Sequence, residues 1–215
     1  MWCILKPFYA AEADGTYKTI TDGTVYAAFL INVQNVTDKL YFTAFSTTNS
    51  SNTIKDGSSI AGPYGVTFIA PSENGGKYVL GISKNSAART ASMSDKELDY
   101  NTTYLVVLKY TAIPDGTTND TYEAWINPVA GSVEPAVADV TADSSKGDSS
   151  RGIAYFAICQ TTGSTTKCPE MLVGPVRIAT TWCELWSEGG DTPDPVDKGE
   201  ITVGKLSLPS GFALY

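Results

Sequence analysis

The sequence predicts an all-β, two-sheet antiparallel sandwich. Three observations carry this expectation: short runs of alternating apolar residues recur along the chain, each is bounded by Gly, Pro, Asn or Ser, and convincing amphipathic helices are lacking. A chain of 215 residues is long enough to bury one large core, and all-β sandwiches of this size commonly form one domain.

Residues 25–33 (VYAAFLINV) place Val25, Ala27, Phe29, Ile31 and Val33 on one face. The other face, Tyr26, Ala28, Leu30 and Asn32, is apolar enough to predict cover on both sides. Strands are predicted next at 40–45, 64–69 and 77–83, and 104–112 (YLVVLKYTA) is the longest β-branched and aromatic run. Residues 114–120 (PDGTTND) form a turn, because Pro presets φ and Gly supplies positive φ. They lead into 121–127 (TYEAWIN), so these two runs predict a hairpin, which Pro128 ends. Residues 153–159 and 171–180 predict a second hairpin, and 94–99 admits a short helical turn. Residues 130–151, rich in Ser, Asp, Ala and Gly, read as a long surface connection. The expected division is a sandwich over 1–187, an acidic Pro/Gly linker over 188–199, and a segment 200–215 that either adds a strand or opens a following domain.

Composition narrows the function classes. A formal net charge of -8 with no Lys/Arg cluster argues against nucleic acid and anionic membranes. No segment is apolar over the length that a membrane helix needs, so no membrane insertion is expected. With no histidine, the chain lacks the commonest general base and zinc ligand and the central member of the usual serine triad. The cysteines Cys3, Cys159, Cys168 and Cys183 form no C-x-x-C pair. Cys159 and Cys168 flank a Gly/Ser/Thr-rich turn, the layout of a bridge across a hairpin or of two thiols. A loop this short would stabilise by about 2.7 kcal/mol if closed. A Cys3–Cys183 pair would then tie the N-terminal end to the last part of the sandwich. An even cysteine count in so polar a chain points to an oxidising compartment, hence to a secreted or cell-surface protein.

From 104 to 128 the ordered motifs become specific. YLVVLKY, a short loop and AWINP, followed by GSVEPAVADVTAD, GIAYFAI and VGPVRIATTW, resemble a bacterial extracellular concanavalin A-like, laminin-G-like jelly roll; TVYAAFLINV and VLGISKN fit upstream. The resemblance spans roughly 24–182. The four cysteines depart from the pattern, and so does Leu172-Val173 before Gly174, where the family often has an acid. It implies a jelly-roll fold with additional strands before residue 24, and a chain that starts inside a larger protein.

The chemistry expected of that fold is then sought among the residues. Glucanases on it use alternating strand carboxylates for a retaining mechanism. Here E-x-D-x-x-E is absent, Glu123 has no second acid two residues away, and Glu184 with Glu188 falls at the linker edge. The chain is therefore expected to be no enzyme, and a glycoside hydrolase is the least favoured reading. Asp139, Asp143 and Asp148 could offer oxygens to calcium, although their spacing matches no EF-hand loop. Tyr64, Asn74, Arg89 and Trp186 are candidates for sugar contact, because stacking needs exposed aromatic faces beside amides and charges. The expectation is a non-catalytic extracellular module that binds a polysaccharide or glycan, or else a structural and adhesive module that pairs with another protein chain through a sheet edge.

Overall fold

The computed structural model describes residues 2–48, 63–85, 91–145, 147–148, 151–160 and 168–187. Arg89, Glu188, the 188–199 linker and the 200–215 segment lie outside the described residues. Two antiparallel sheets face each other. In the seven-stranded sheet β1 (Trp2–Pro7), β11 (Tyr155–Gln160), β3 (Leu40–Ser46), β4 (Pro63–Pro71) and β5 (Lys77–Asn85) lie side by side, and the short β6 (Ser92–Met93) and β7 (Leu98–Asp99) both pair with β5. The five-stranded sheet runs β10 (Val140–Thr141), β9 (Thr121–Ile126), β8 (Thr103–Ala112), β2 (Gly23–Asn35), β12 (Glu170–Ala179).

The chain leaves the five-stranded sheet after β2, builds β3 to β7 opposite, returns for β8 to β10, crosses for β11 and returns for β12. The protein is an all-β, two-sheet antiparallel jelly-roll sandwich. The β8–β9 hairpin forms as predicted, with Lys109 opposite Glu123. The predicted hairpin of 153–159 with 171–180 does not form: β11 pairs with β1 and β3, whereas β12 pairs with β2. Alternation states which residues face inward, but both sheets ask for the same pattern, so it cannot assign a strand to a sheet. Cys168 and Cys183 are thiols, so neither the Cys159–Cys168 nor the Cys3–Cys183 bridge is made. The helical turn expected at 94–99 is absent, because Leu98 turns inward and β7 pairs with β5. The one short helical turn among the described residues is a 3-10 turn at Cys183–Trp186.

The core explains the alternation. Val25, Ala27, Phe29, Ile31 and Val33 of β2 are all buried against Tyr78, Leu80 and Ile82 of β5 and against Phe42, Phe45 and Phe156. Phe29 meets Phe42 edge-on at 6.2 Å and Phe45 meets Phe156 at 5.2 Å, spacings that favour aromatic pairs. Each such side chain contributes roughly 1.5–3 kcal/mol when removed from water. Cover on the outer face of β2 is partial. Tyr26 and Ala28 are buried there, but Leu30 remains 43% exposed.

Candidate functional site

Two polar groups stand out, one on the outer face of the five-stranded sheet and one in the interior. Because the odd-numbered residues of β2 take the core, Tyr26 faces out, in register beside Lys109 of β8 and then Glu123 of β9. Residues 128–139 cross this face and add Glu134. The Lys109 ammonium donates to Glu134 Oε1 at 2.7 Å and lies 3.7 Å from Glu123 Oε2. It also sits 5.6 Å from the Tyr26 ring centre and 6.0 Å from that of Trp125, within cation–π range. Tyr26 Oη donates to the other Glu134 oxygen at 2.8 Å.

Burial and the Glu134 contact push the Tyr26 phenol up to about 12. Burial alone would lower Lys109, but the hydrogen bond to Glu134 and the nearby anions outweigh it and hold the ammonium above its ordinary value. The group is therefore a charged lysine between two carboxylates. The Lys109, Glu123 and Glu134 side chains retain between about a fifth and a third of their exposure.

Aromatic residues wall one side. Trp182 packs edge-on to Tyr26, Trp125 and Trp186. Trp125 Nε1 donates to Val137 O and Trp182 Nε1 to Ser132 O, so both indoles help to hold 128–139 on the sheet. Val129, Val133 and Val137 of that segment point to solvent.

The interior group centres on Lys84. It continues the inward series Tyr78, Leu80, Ile82 at the end of β5 and is fully buried. Its Nζ donates to Asp148 Oδ1 at 2.7 Å, Thr118 O at 2.8 Å and Asp120 O at 3.0 Å, with Ser144 O at 3.4 Å. The Asp120 carboxylate accepts from Tyr110 Oη at 2.7 Å and from Ile113 N at 2.8 Å. Burial raises Asp120 above the ordinary carboxylate value, against the lowering effect of these two donors. Burial likewise raises the Tyr110 phenol, and the Asp120 contact adds to it.

The residues singled out from the sequence do not converge. Tyr64 is half-buried in β4, packed against the core. Asn74, in the turn after β4, donates to Glu97 Oε1 at 2.7 Å. Trp186 joins the aromatic wall, and its Nε1 is buried without a partner among the described residues. Among the aspartates, Asp139 pairs with Lys96 and caps Ile126 N, Asp143 accepts from Ser145 N, and Asp148 holds Lys84. Among the described residues no three His, Cys, Asp or Glu gather as metal ligands. Glu184, within the 3-10 turn, accepts from Thr180 N, Thr180 Oγ1 and Thr181 N. Burial would raise its carboxyl, but donors from Thr180 and Thr181 outweigh this and hold it low.

Sequence reasoning passed over Lys109, Glu134 and Lys84. For Lys84 a signal existed: a lysine at the next position of an inward period-two series is out of place unless it has buried partners. For Glu134 there was none, since its site depends on where a long connection lies.

No protein-family model and no curated protein sequence matches the chain. Similar solved structures include a heptameric SAP-like pentraxin from Limulus polyphemus, at 11% identity and a TM-score of 0.44 over 84% of this chain and 79% of that one. An alginate lyase, Aly36B, solved with an alginate trisaccharide, gives 10% identity and 0.45 over 83% and 78%. An endo-beta-1,4-glucuronan lyase from the fungus Trichoderma reesei gives 8% identity and 0.45 over 85% and 82%. At such identities the likeness is one of fold and carries nothing about what this chain acts on. It corrects one expectation all the same. Lyases occur among the similar structures, so the fold does not select a non-catalytic module, and the expectation that the chain is no enzyme is withdrawn.

Proposed function

We propose that the protein is directed at a polysaccharide, which it engages on the outer face of the five-stranded sheet around Lys109, Glu123 and Glu134. The observation that carries this is the convergence of an ammonium and two partly exposed carboxylates beside a wall of Tyr26 and Trp125. Such a group offers both donors and acceptors to sugar hydroxyls, and the ammonium can meet a sugar carboxylate. Further along the same face, Leu30, Leu105 and Leu172 lie beside Asn32 and Thr103, an apolar strip edged by hydroxyl and amide groups.

We place the protein outside the cell, in keeping with the resemblance to bacterial laminin-G-like modules. For a disulfide the register offers one place: β1 and β11 hold Cys3 and Cys159 directly opposite each other.

The test is affinity electrophoresis together with a chain-scission assay on neutral and uronate-containing polysaccharides. Lys109→Met and Glu134→Gln are compared with Glu73→Gln, a substitution in the turn after β4. Retention or scission that both site variants reduce at least tenfold, and the control leaves unchanged, supports the reading. No retention and no scission, or equal activity in all variants, overturns it.

A further inference from the structure

The Lys84 group lies away from the sheet face and takes no part in the function proposed there. We propose that the oxygens around Lys84 Nζ constitute a binding site for a monovalent cation of ammonium size, which the chain fills with its own side chain.

Three features support this. First, the oxygens belong to a frame with contacts of its own. Asp148 N donates to Thr117 O at 2.8 Å and Asp120 N donates to Asp148 Oδ2 at 3.1 Å, so the two connections that supply the cage are joined without Lys84. Asp120 is anchored separately, through its carboxylate, to Tyr110 and Ile113. Second, the charge suits one positive unit. Of the two nearby carboxylates only Asp148 touches Nζ, and the remaining partners are neutral carbonyls. Third, the size is set by the distances. Nζ lies 2.7–3.4 Å from its oxygens. Calcium takes its oxygens at about 2.3–2.6 Å, so this cage is built for a larger ion.

The ion is thus a tethered one. Lys84 belongs to the seven-stranded sheet, whereas residues 118–120 lead into β9 of the other, and the ammonium joins them across the core. Shortening the side chain takes the cation away from the buried Asp120 carbonyl and the Asp148 carboxylate, which is strongly unfavourable unless another cation enters.

The test is the thermal unfolding of Lys84→Ala in ammonium, methylammonium, sodium and tetramethylammonium chlorides at equal ionic strength. The expected result is a melting temperature well below wild type. Ammonium and methylammonium, which fit and can donate, should raise it in a saturable way by a few degrees. Sodium and tetramethylammonium should not, and wild type should respond alike to all four salts. Lys84→Met, which occupies the volume without a donor, should show no selective rise. Should Lys84→Ala be unfolded in sodium, the readout becomes recovery of its near-ultraviolet tryptophan signal in ammonium. Equal responses to all four salts, no recovery, or a Lys84→Met variant that responds as Lys84→Ala does, would each overturn the proposal.

Discussion

Replacing Gly65 by alanine should destabilise this sandwich by more than most single substitutions, and the structure lets the cost be assembled. Gly65 lies in β4 where the register with β3 shifts between Ala44 and Phe45, and its φ is 53°. Alanine in the left-handed region costs roughly 1–2 kcal/mol. The added Cβ would lie 2.8 Å from a ring carbon of Tyr110 and 3.0 and 3.2 Å from Phe45 atoms, closer than carbon atoms pack. Tyr110 cannot retreat easily. Its hydroxyl is bound to Asp120 at 2.7 Å, and its ring is flanked by Phe45 and Tyr122 at about 6 Å. Forcing a packed core to give way costs about 1–3 kcal/mol. The sum is about 2–5 kcal/mol, a large part of the roughly 5–15 kcal/mol that holds a domain folded. Equilibrium unfolding in urea, followed by tryptophan fluorescence, measures it. In a Tyr110→Leu background the Tyr110 share of the steric cost should go, leaving the backbone part and the Phe45 contacts, so the loss should shrink. A loss under about 1 kcal/mol, or the same loss in both backgrounds, would refute the reasoning.

Two further predictions concern buried polar groups. Thr43 is fully buried in β3 and its hydroxyl has no hydrogen-bond partner among the described residues. Thr43→Val keeps the shape and removes that hydroxyl, so it should stabilise by about 1 kcal/mol in the same urea experiment. The Asp120 carboxyl should titrate by carbon NMR above the ordinary aspartate value, because burial raises it despite its donors. With the folded value above the unfolded one, its contribution to stability is complete below the unfolded value and is lost as pH rises through the folded one. A midpoint at or below that of an exposed aspartate would contradict this.

The strands were largely legible because alternation is a local property. The run predicted at 40–45 is β3 over Leu40–Ser46, that at 77–83 is β5 over Lys77–Asn85, and that at 104–112 is β8 over Thr103–Ala112. The N-terminal strand Trp2–Pro7 was passed over, because WCILKP carries little alternation and its place depends on the pairing with β11. The candidate site was not legible. Tyr64 is a plausible surface aromatic by its loop-like sequence, AGPYG, yet it lies at the start of β4, packed against the core. Glu184, set aside as a catalytic residue because it falls at the linker edge, makes three hydrogen bonds to Thr180 and Thr181, just before its own turn.

By itself the sequence determined an all-β sandwich, the inward face of β2 and the β8–β9 hairpin, because each depends on spacing within a few residues or on one short turn. Only the tertiary structure decided that β11 and β12 belong to different sheets, that Glu134 reaches Lys109, and that Lys84 is caged by residues 118, 120, 144 and 148. These outcomes depend on which strand pairs with which across the core, and two sheets that demand the same alternation leave no local trace of that choice.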